Sequence, residues 1–257
     1  MAMRRCLVLL PLLCVLSGCP VTQPQPTSGK LLKLKVSANR QDYQLFLPSE
    51  YTPDKKWPLV ITLHGTHGWD DYQPQMREWK YLGEKKGLII AAPYLKSPQG
   101  ILPVLHNIRD KQLQEDEKTI LGLIDDAVAN YNVDPNAVLL TGFSAGGYAM
   151  YYVGLRHPER FNMLIARACN SDQEVFESIQ LTEAARNKPI AIFWGGDDLK
   201  PIQEQSWAAF EYLRTHKCYQ TVKKEIQGGH LRRPEVAYDL WREHMPKKYV
   251  REPATRK

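Results

Sequence analysis

The feature that most constrains this chain is a series of short, almost wholly apolar runs: Leu59-Val60-Ile61-Thr62-Leu63, Leu88-Ile89-Ile90-Ala91-Ala92, Ala137-Val138-Leu139-Leu140-Thr141 and Ile190-Ala191-Ile192-Phe193-Trp194. A strand with one face in water would alternate apolar and polar residues, and runs this short do not suffice for a core helix. Runs apolar at nearly every position fit strands buried on both faces, as in a parallel sheet covered by helices. The intervals supply helical stretches at about 73–86, 115–131, 145–156, 201–216 and 235–244, so the alternation predicts a three-layer α/β domain. Ahead of it, residues 31–36 and 43–47 partly alternate around a polar Asn39-Arg40-Gln41-Asp42 turn and predict an antiparallel edge hairpin. Pro93 to Gln114 shows no obvious period and reads as a surface excursion.

Length and composition fit one such domain. With 257 residues, 43% of them hydrophobic, the chain can bury one sizeable core, which excludes a disordered or fibrous protein. The net charge of +6 is mild, and Lys247, Lys248, Arg251, Arg256 and Lys257 gather near the C-terminus. No aromatic or glycine-rich pattern accompanies them, so they read as a solvated tail and no nucleic-acid partner is expected.

The N-terminus reads as an address followed by a tether. Arg4 and Arg5 precede an apolar run from Cys6 to Leu16, too short to span a bilayer and laid out like an export signal. Leu16-Ser17-Gly18-Cys19 resembles a bacterial lipobox, which implies cleavage before Cys19 and acylation of that cysteine. Pro20 in place of aspartate then points toward the outer membrane of a bacterial envelope. The proline-rich stretch from Pro20 to Gly29 cannot nucleate a core and reads as an extended spacer. The expected organisation is therefore a signal over 1–18, a lipidated cysteine and linker over 19–29, and a folded domain over 30–257. Cys169 and Cys218 remain as the two cysteines of the domain; they fall at opposite ends of the strand map and are expected to be free thiols.

The chemistry follows a strand. Gly142-Phe143-Ser144-Ala145-Gly146 is a GxSxG pentapeptide placed directly after an apolar strand and before a helical stretch, where a tight turn holds a serine exposed and its flanks must be small. A serine hydroxyl needs a base, and the base an orienting carboxylate. Of the seven histidines, His157, His216, His230 and His244 follow the serine. His230 ends Gln227-Gly228-Gly229-His230, a loop directly after the strand-like stretch from Tyr219 to Ile226, and is the expected base. For the acid, Gly195-Gly196-Asp197-Asp198 follows another buried strand; the spacing from Gly195 favours Asp198, with Asp197 as the alternative. His64-Gly65-Thr66 ends a further strand, where backbone amides can face an oxyanion, with Thr66 N–H and Ala145 N–H as the expected donors. His64 and His67 lie on a turn without a nearby carboxylate or cysteine set, so no metal site is expected. Trp69, Tyr72 and Tyr94 are candidate pocket residues that ordinary packing explains better, and Arg232 and Arg233 read as solvated, with contact to an acidic substrate as the alternative.

These stretches resemble the α/β-hydrolase fold and, within it, the esterases like polyhydroxybutyrate depolymerases, feruloyl esterases and acetylxylan esterases. The resemblance rests on Pro58 to Gly65, Gly87 to Pro93, Tyr131 to Gly147, His157-Pro158-Glu159-Arg160-Phe161, Gly195 to Asp198 and Gly228-Gly229-His230. It implies a serine hydrolase acting on carboxylic esters without a cofactor, with Ser144 as nucleophile, Asp198 as acid, His230 as base, and Thr66 and Ala145 at the oxyanion. Many members carry cysteine where this chain has Thr66, which removes a possible loop bridge, and no carbohydrate-binding module is read in the sequence, which argues against polymer degradation and for soluble esters or accessible polymer-attached acyl groups. A prolyl-oligopeptidase-like peptidase and a catalytically silent binding lipoprotein are the other readings; oligomeric state is not readable.

Overall fold

In the computed structural model, which describes residues 28–98 and 105–251, each of the four apolar runs supplies a strand of one eight-stranded sheet, with Leu88 lying just ahead of its strand. The signal, Cys19 and most of the spacer lie outside the described residues. The strands are β1 (Lys30–Lys35), β2 (Asp42–Leu47), β3 (Trp57–Leu63), β4 (Ile89–Pro93), β5 (Val133–Phe143), β6 (Met163–Arg167), β7 (Ile190–Gly195) and β8 (Thr221–Ile226), arranged β1-β2-β4-β3-β5-β6-β7-β8. The pairs β1/β2 and β2/β4 are antiparallel and the rest parallel, so the expected hairpin sits at one edge of a mostly parallel sheet.

Both faces of the central strands are covered, which is why they carry no polar alternation. Leu59, Ile61, Leu63, Val138, Leu140 and Ile192 point to one layer, with α2 (His106–Tyr131), α3 (Gly146–Arg156) and α6 (Lys200–Thr215) packed on it. Their neighbours Val60, Leu139, Ala191 and Phe193 point to the other, against Trp79 of α1 (Tyr72–Lys86) and Trp241 of α7 (Pro234–Trp241). This period of two, apolar on both sides, is the three-layer arrangement that the runs predict. The exposed edge strand β8 carries Lys223, Lys224 and Glu225, charges that discourage pairing with a further strand.

Two expectations need correction. The connection after Pro93 is shorter than its sequence suggests, because α2 already begins at His106. Its buried stripe runs Arg109, Leu113, Asp116, Thr119, Ile120, Leu123, Ile124 and Ala127, helical spacing in which polar residues replace apolar ones and hide the period. The second is the strand set, to which the structure adds β6; this strand ends in the charged Arg167, yet that side chain is fully buried. Two short helices, α4 (Gln173–Glu177) and α5 (Glu183–Arg186), were also not anticipated. Cys169 and Cys218 are buried and unbridged, as expected.

Candidate active site

Ser144 sits between the end of β5 and the start of α3 with φ +51°, a left-handed conformation that a serine adopts only when its surroundings impose it. Those surroundings are identifiable. Its N–H donates to the Arg167 carbonyl at 3.2 Å, and its carbonyl accepts from the N–H groups of Gly147 and Asn170, both at 2.9 Å. The turn passes so close to β3 that a Cβ on Gly146 would lie 2.5 Å from the His64 carbonyl oxygen, so glycine is required there. The side chain is half-buried, and Ser144 Oγ has no hydrogen-bond partner among the described residues.

The parallel pairing of β7 with β8 continues into the loops beyond them. Gly196 N–H donates to the Ile226 carbonyl at 2.8 Å and Asp197 N–H to the Gly228 carbonyl at 3.0 Å. A Cβ on Gly195 would meet the Gly228 oxygen at 2.1 Å, so this crossing too requires glycine. The joined loops bring Asp198, not Asp197, to His230: Nδ1–H of His230 donates to Asp198 Oδ1 at 2.9 Å, since a carboxylate only accepts. The Asp198 side chain is fully buried while Asp197 is exposed. The same Oδ1 accepts from Leu199 N–H at 2.7 Å. The His230 ring remains 27% exposed and packs on Phe143, immediately before Ser144, with ring centroids 4.7 Å apart.

Several other histidines are engaged elsewhere. His157 reaches Glu117 at 2.8 Å, and His216 donates to the Tyr212 carbonyl at 2.8 Å. His64 is fully buried: its Nδ1–H donates to the Gly65 carbonyl at 2.9 Å and its Nε2 accepts from Leu95 N–H at 3.0 Å. Burial holds its pKa down to about 4, so it is a neutral ring fixed to backbone. His64, His67 and Asp71 have potential ligand atoms within 4.8 Å of one another, a cluster that includes a carboxylate the turn reading did not count. Ligation through His64 would break one of its two backbone bonds, and His67 Nε2 already donates to the Leu95 carbonyl at 3.0 Å.

On the oxyanion side, a Cβ on Gly65 would stand 3.0 Å from Ser144 Cβ, so this loop borders the serine directly. Gly65 N–H is committed to Asp70 Oδ2 at 2.7 Å. Thr66 is buried next to it, and its carbonyl accepts from Trp69 and Asp70 N–H at 3.1 and 2.9 Å. The Ala145 amide has no hydrogen-bond acceptor among the described residues.

Of the aromatic candidates, Tyr94 stacks on His67 with centroids 5.0 Å apart and meets Tyr72 edge-on, whereas Trp69 is 76% exposed. Arg232 departs from the solvated reading: its Nε lies 3.4 Å from Glu78 and 3.7 Å from Asp70, and the guanidinium lies over Phe143. Arg233 pairs at the surface with Glu235. Sequence reasoning missed Arg167, Gln75 and Asp70, buried polar residues behind the site, with Arg167 and Gln75 meeting across 92 positions of the chain. Among the described residues no helix is long and apolar enough to cross a membrane.

Comparison with known proteins gives the family and the fold. The model of the family described as "Putative esterase" matches residues 38–245. A bifunctional acetylxylan esterase/xylanase of Neocallimastix patriciarum is 28% identical over 202 residues, covering 78% of this chain; the chain spans 28% of that relative's length. A ferulic acid esterase of Anaeromyces mucronatus superposes with a TM-score of 0.59 at 17% identity, covering 83% of this chain and 90% of that one. S-formylglutathione hydrolase of Staphylococcus aureus gives a TM-score of 0.60 at 12% identity, over 84% of this chain and 97% of that one. At these identities the structural likenesses are likenesses of fold, and the fold is that of the α/β-hydrolases.

Proposed function

Since the chain belongs to the esterase family whose model covers residues 38–245, we propose that it is a serine hydrolase cleaving carboxylic esters through Ser144, His230 and Asp198. The observation that carries the proposal is the 2.9 Å bond from His230 to the buried Asp198 carboxylate, with the imidazole packed at a tilt against the residue preceding the serine. That bond keeps the proton on Nδ1 and leaves Nε2 with a lone pair to accept the serine proton.

In this reading Ser144 Oγ attacks the ester carbonyl as His230 Nε2 takes its proton, and Asp198 stabilises the imidazolium. The tetrahedral oxyanion is held by the amides of Ala145 and Thr66, each such donor supplying a factor of about 10²–10³ in rate. Collapse expels the alcohol, which takes its proton from His230, and leaves an acyl-serine; water activated by the same imidazole then releases the acid. The chemistry needs no cofactor. The names of the fungal relatives favour an acetyl or hydroxycinnamoyl group on a saccharide hydroxyl as substrate, either free or attached to a polymer. The export signal, Cys19 and the spacer favour a chain tethered by lipid to the bacterial envelope, with the outer membrane preferred.

The test is turnover of p-nitrophenyl acetate and methyl ferulate by the purified protein, alongside fluorophosphonate labelling followed by mass spectrometry. Turnover and a single adduct on Ser144, both lost in Ser144→Ala, are expected. An unlabelled, inactive wild type would sink the hydrolase reading and favour a silent binding protein. Turnover of prolyl peptides in place of esters would favour a peptidase. For the anchor, an alkynyl fatty acid should label the full chain in a bacterial host, and Cys19→Ser should abolish the label.

A further inference from the structure

The polar cluster behind the serine poses a physical problem. Arg167, the last residue of β6, is completely buried, and its guanidinium spends its hydrogen bonds on neutral oxygens. Nε donates to Thr141 Oγ1 at 2.9 Å, and Nη2 to Thr62 Oγ1 and Gln75 Oε1, both at 2.9 Å. Nη1 donates to the Arg232 carbonyl at 3.1 Å. Apolar side chains fill such a space more cheaply than a buried cation without a directly bonded carboxylate. Stability therefore gives no reason to place an arginine here.

Where those bonds lead supplies one. Arg232 lies two residues beyond His230, so Nη1 grips the loop that carries the imidazole. Gln75 passes the connection onward: its Nε2 donates to Asp70 Oδ2 at 2.7 Å, and that same oxygen accepts Gly65 N–H at 2.7 Å, beside Thr66. The main chain of Arg167 meets the serine itself, since its carbonyl accepts Ser144 N–H at 3.2 Å. One side chain and its backbone thus touch three separately encoded parts of the site: the turn bearing Ser144, the loop bearing His230, and, through Gln75 and Asp70, the loop bearing Thr66.

We propose that Arg167 is a positioning residue that, through Gln75 and Asp70, sets the base-bearing loop and the oxyanion-side loop at their working separation around Ser144. The proposal rests on the reading of Ser144 and His230 as nucleophile and base. Its physical content is the planar fork of the guanidinium, which fixes several acceptors at defined angles at once; a lysine ammonium keeps the charge but not the fork. A displacement of about 1 Å remote from the reacting atoms is enough to lower a rate about 10²-fold.

The experiment compares wild type, Arg167→Lys, Gln75→Met and Ser144→Ala, with active sites counted by fluorophosphonate titration and rates measured well below each variant's melting temperature. Arg167→Lys is expected to lose about 10²-fold in kcat per titrated site, and Gln75→Met about tenfold, with KM held within about twofold. A structural role alone would reduce the number of titratable sites and the melting temperature while leaving kcat per site unchanged, and that result would overturn the proposal. If Arg167→Lys fails to fold, Gln75→Met decides, because it severs the link to Asp70 and keeps the arginine. Wild-type turnover that depends on Ser144, combined with unaltered kcat in the variants, removes the positioning role and leaves the esterase reading standing. An inactive wild type, or activity surviving in Ser144→Ala, removes both.

Discussion

Two histidines stand at the same edge of the sheet and are held in opposite ways. His230 follows β8; its Nδ1 bonds to one carboxylate, its ring is 27% exposed, and its Nε2 has no hydrogen-bond partner among the described residues. His64 follows β3; it is fully buried with Nδ1 bonded to Gly65 O and Nε2 to Leu95 N. A base that cycles a proton needs one ring nitrogen unspent and facing the reaction, whereas a ring with both nitrogens spent is a strut joining two loops. On the proposed function the contrast is between a residue of the reaction and a residue of the fold, and mutation should separate them by different measurements.

The largest effect belongs to the first histidine. His230→Ala is expected to lower kcat by about 10⁶-fold, comparable to loss of the nucleophile, because the two act as a unit. Its melting temperature should stay within about 2 °C of wild type, since the ring's side-chain bonding is a single hydrogen bond. A melting temperature that fell with the activity would place His230 in the same class as His64. Next is Asp198→Asn, expected to lower kcat by about 10⁴-fold: the amide favours the wrong imidazole tautomer while leaving the geometry in place. If Asp197→Asn were the damaging change instead, the acid would have been misassigned.

His64→Ala should reverse the pattern. It opens a cavity and strands Leu95 N–H in the interior, for an expected loss of about 4 kcal/mol in stability by urea unfolding. Folded molecules should keep kcat within about tenfold, read per titrated site. A variant that unfolds like wild type but has lost turnover would give His64 a part in the chemistry and erase the distinction.

How much of this the sequence foretells depends on whether a constraint is local. The central strands are legible because burial on both faces leaves an apolar run. The serine turn is legible because close approach demands glycine at Gly146. The meeting of Asp198 with His230 is foreshadowed by two loops that follow neighbouring parallel strands and so emerge at one edge. What stayed hidden is polar and non-local. Arg167 is made tolerable in the interior by Thr62, Gln75, Thr141 and the Arg232 carbonyl, which come from four separate segments. The first turns of α2 are illegible for the same reason, since Arg109 occupies a buried position only because Asp172 from another element receives it.

Asp116 also shapes the smallest predicted effect, which tests whether His64 is a strut by titrating it. Its carboxylate accepts the amides of Lys96 and Ser97 at 2.6 and 2.9 Å, next to the Leu95 amide that His64 holds, so both side chains clamp one loop. Burial raises the Asp116 pKa from 3.8 to about 6, outweighing those amide bonds, whereas burial lowers that of His64 from 6.5 to about 4. The signs oppose. His64 contributes stability that is full above pH 6.5 and is lost as pH falls through about 4, because the unfolded chain binds its proton first. Asp116 contributes stability that is full below pH 3.8 and is lost as pH rises through about 6, because the native state holds the proton longer. Each contribution is on the order of 3 kcal/mol over nearly the same window, so between pH 4 and 6.5 the two should largely cancel each other in the wild type. Asp116→Asn removes one of the opposing slopes, and its unfolding free energy should then fall steadily on acidification. In His64→Ala the slope should change sign, with stability rising on acidification. A wild type and an Asp116→Asn variant with the same slope would mean that Asp116 does not keep its proton longer in the folded state than in the unfolded chain.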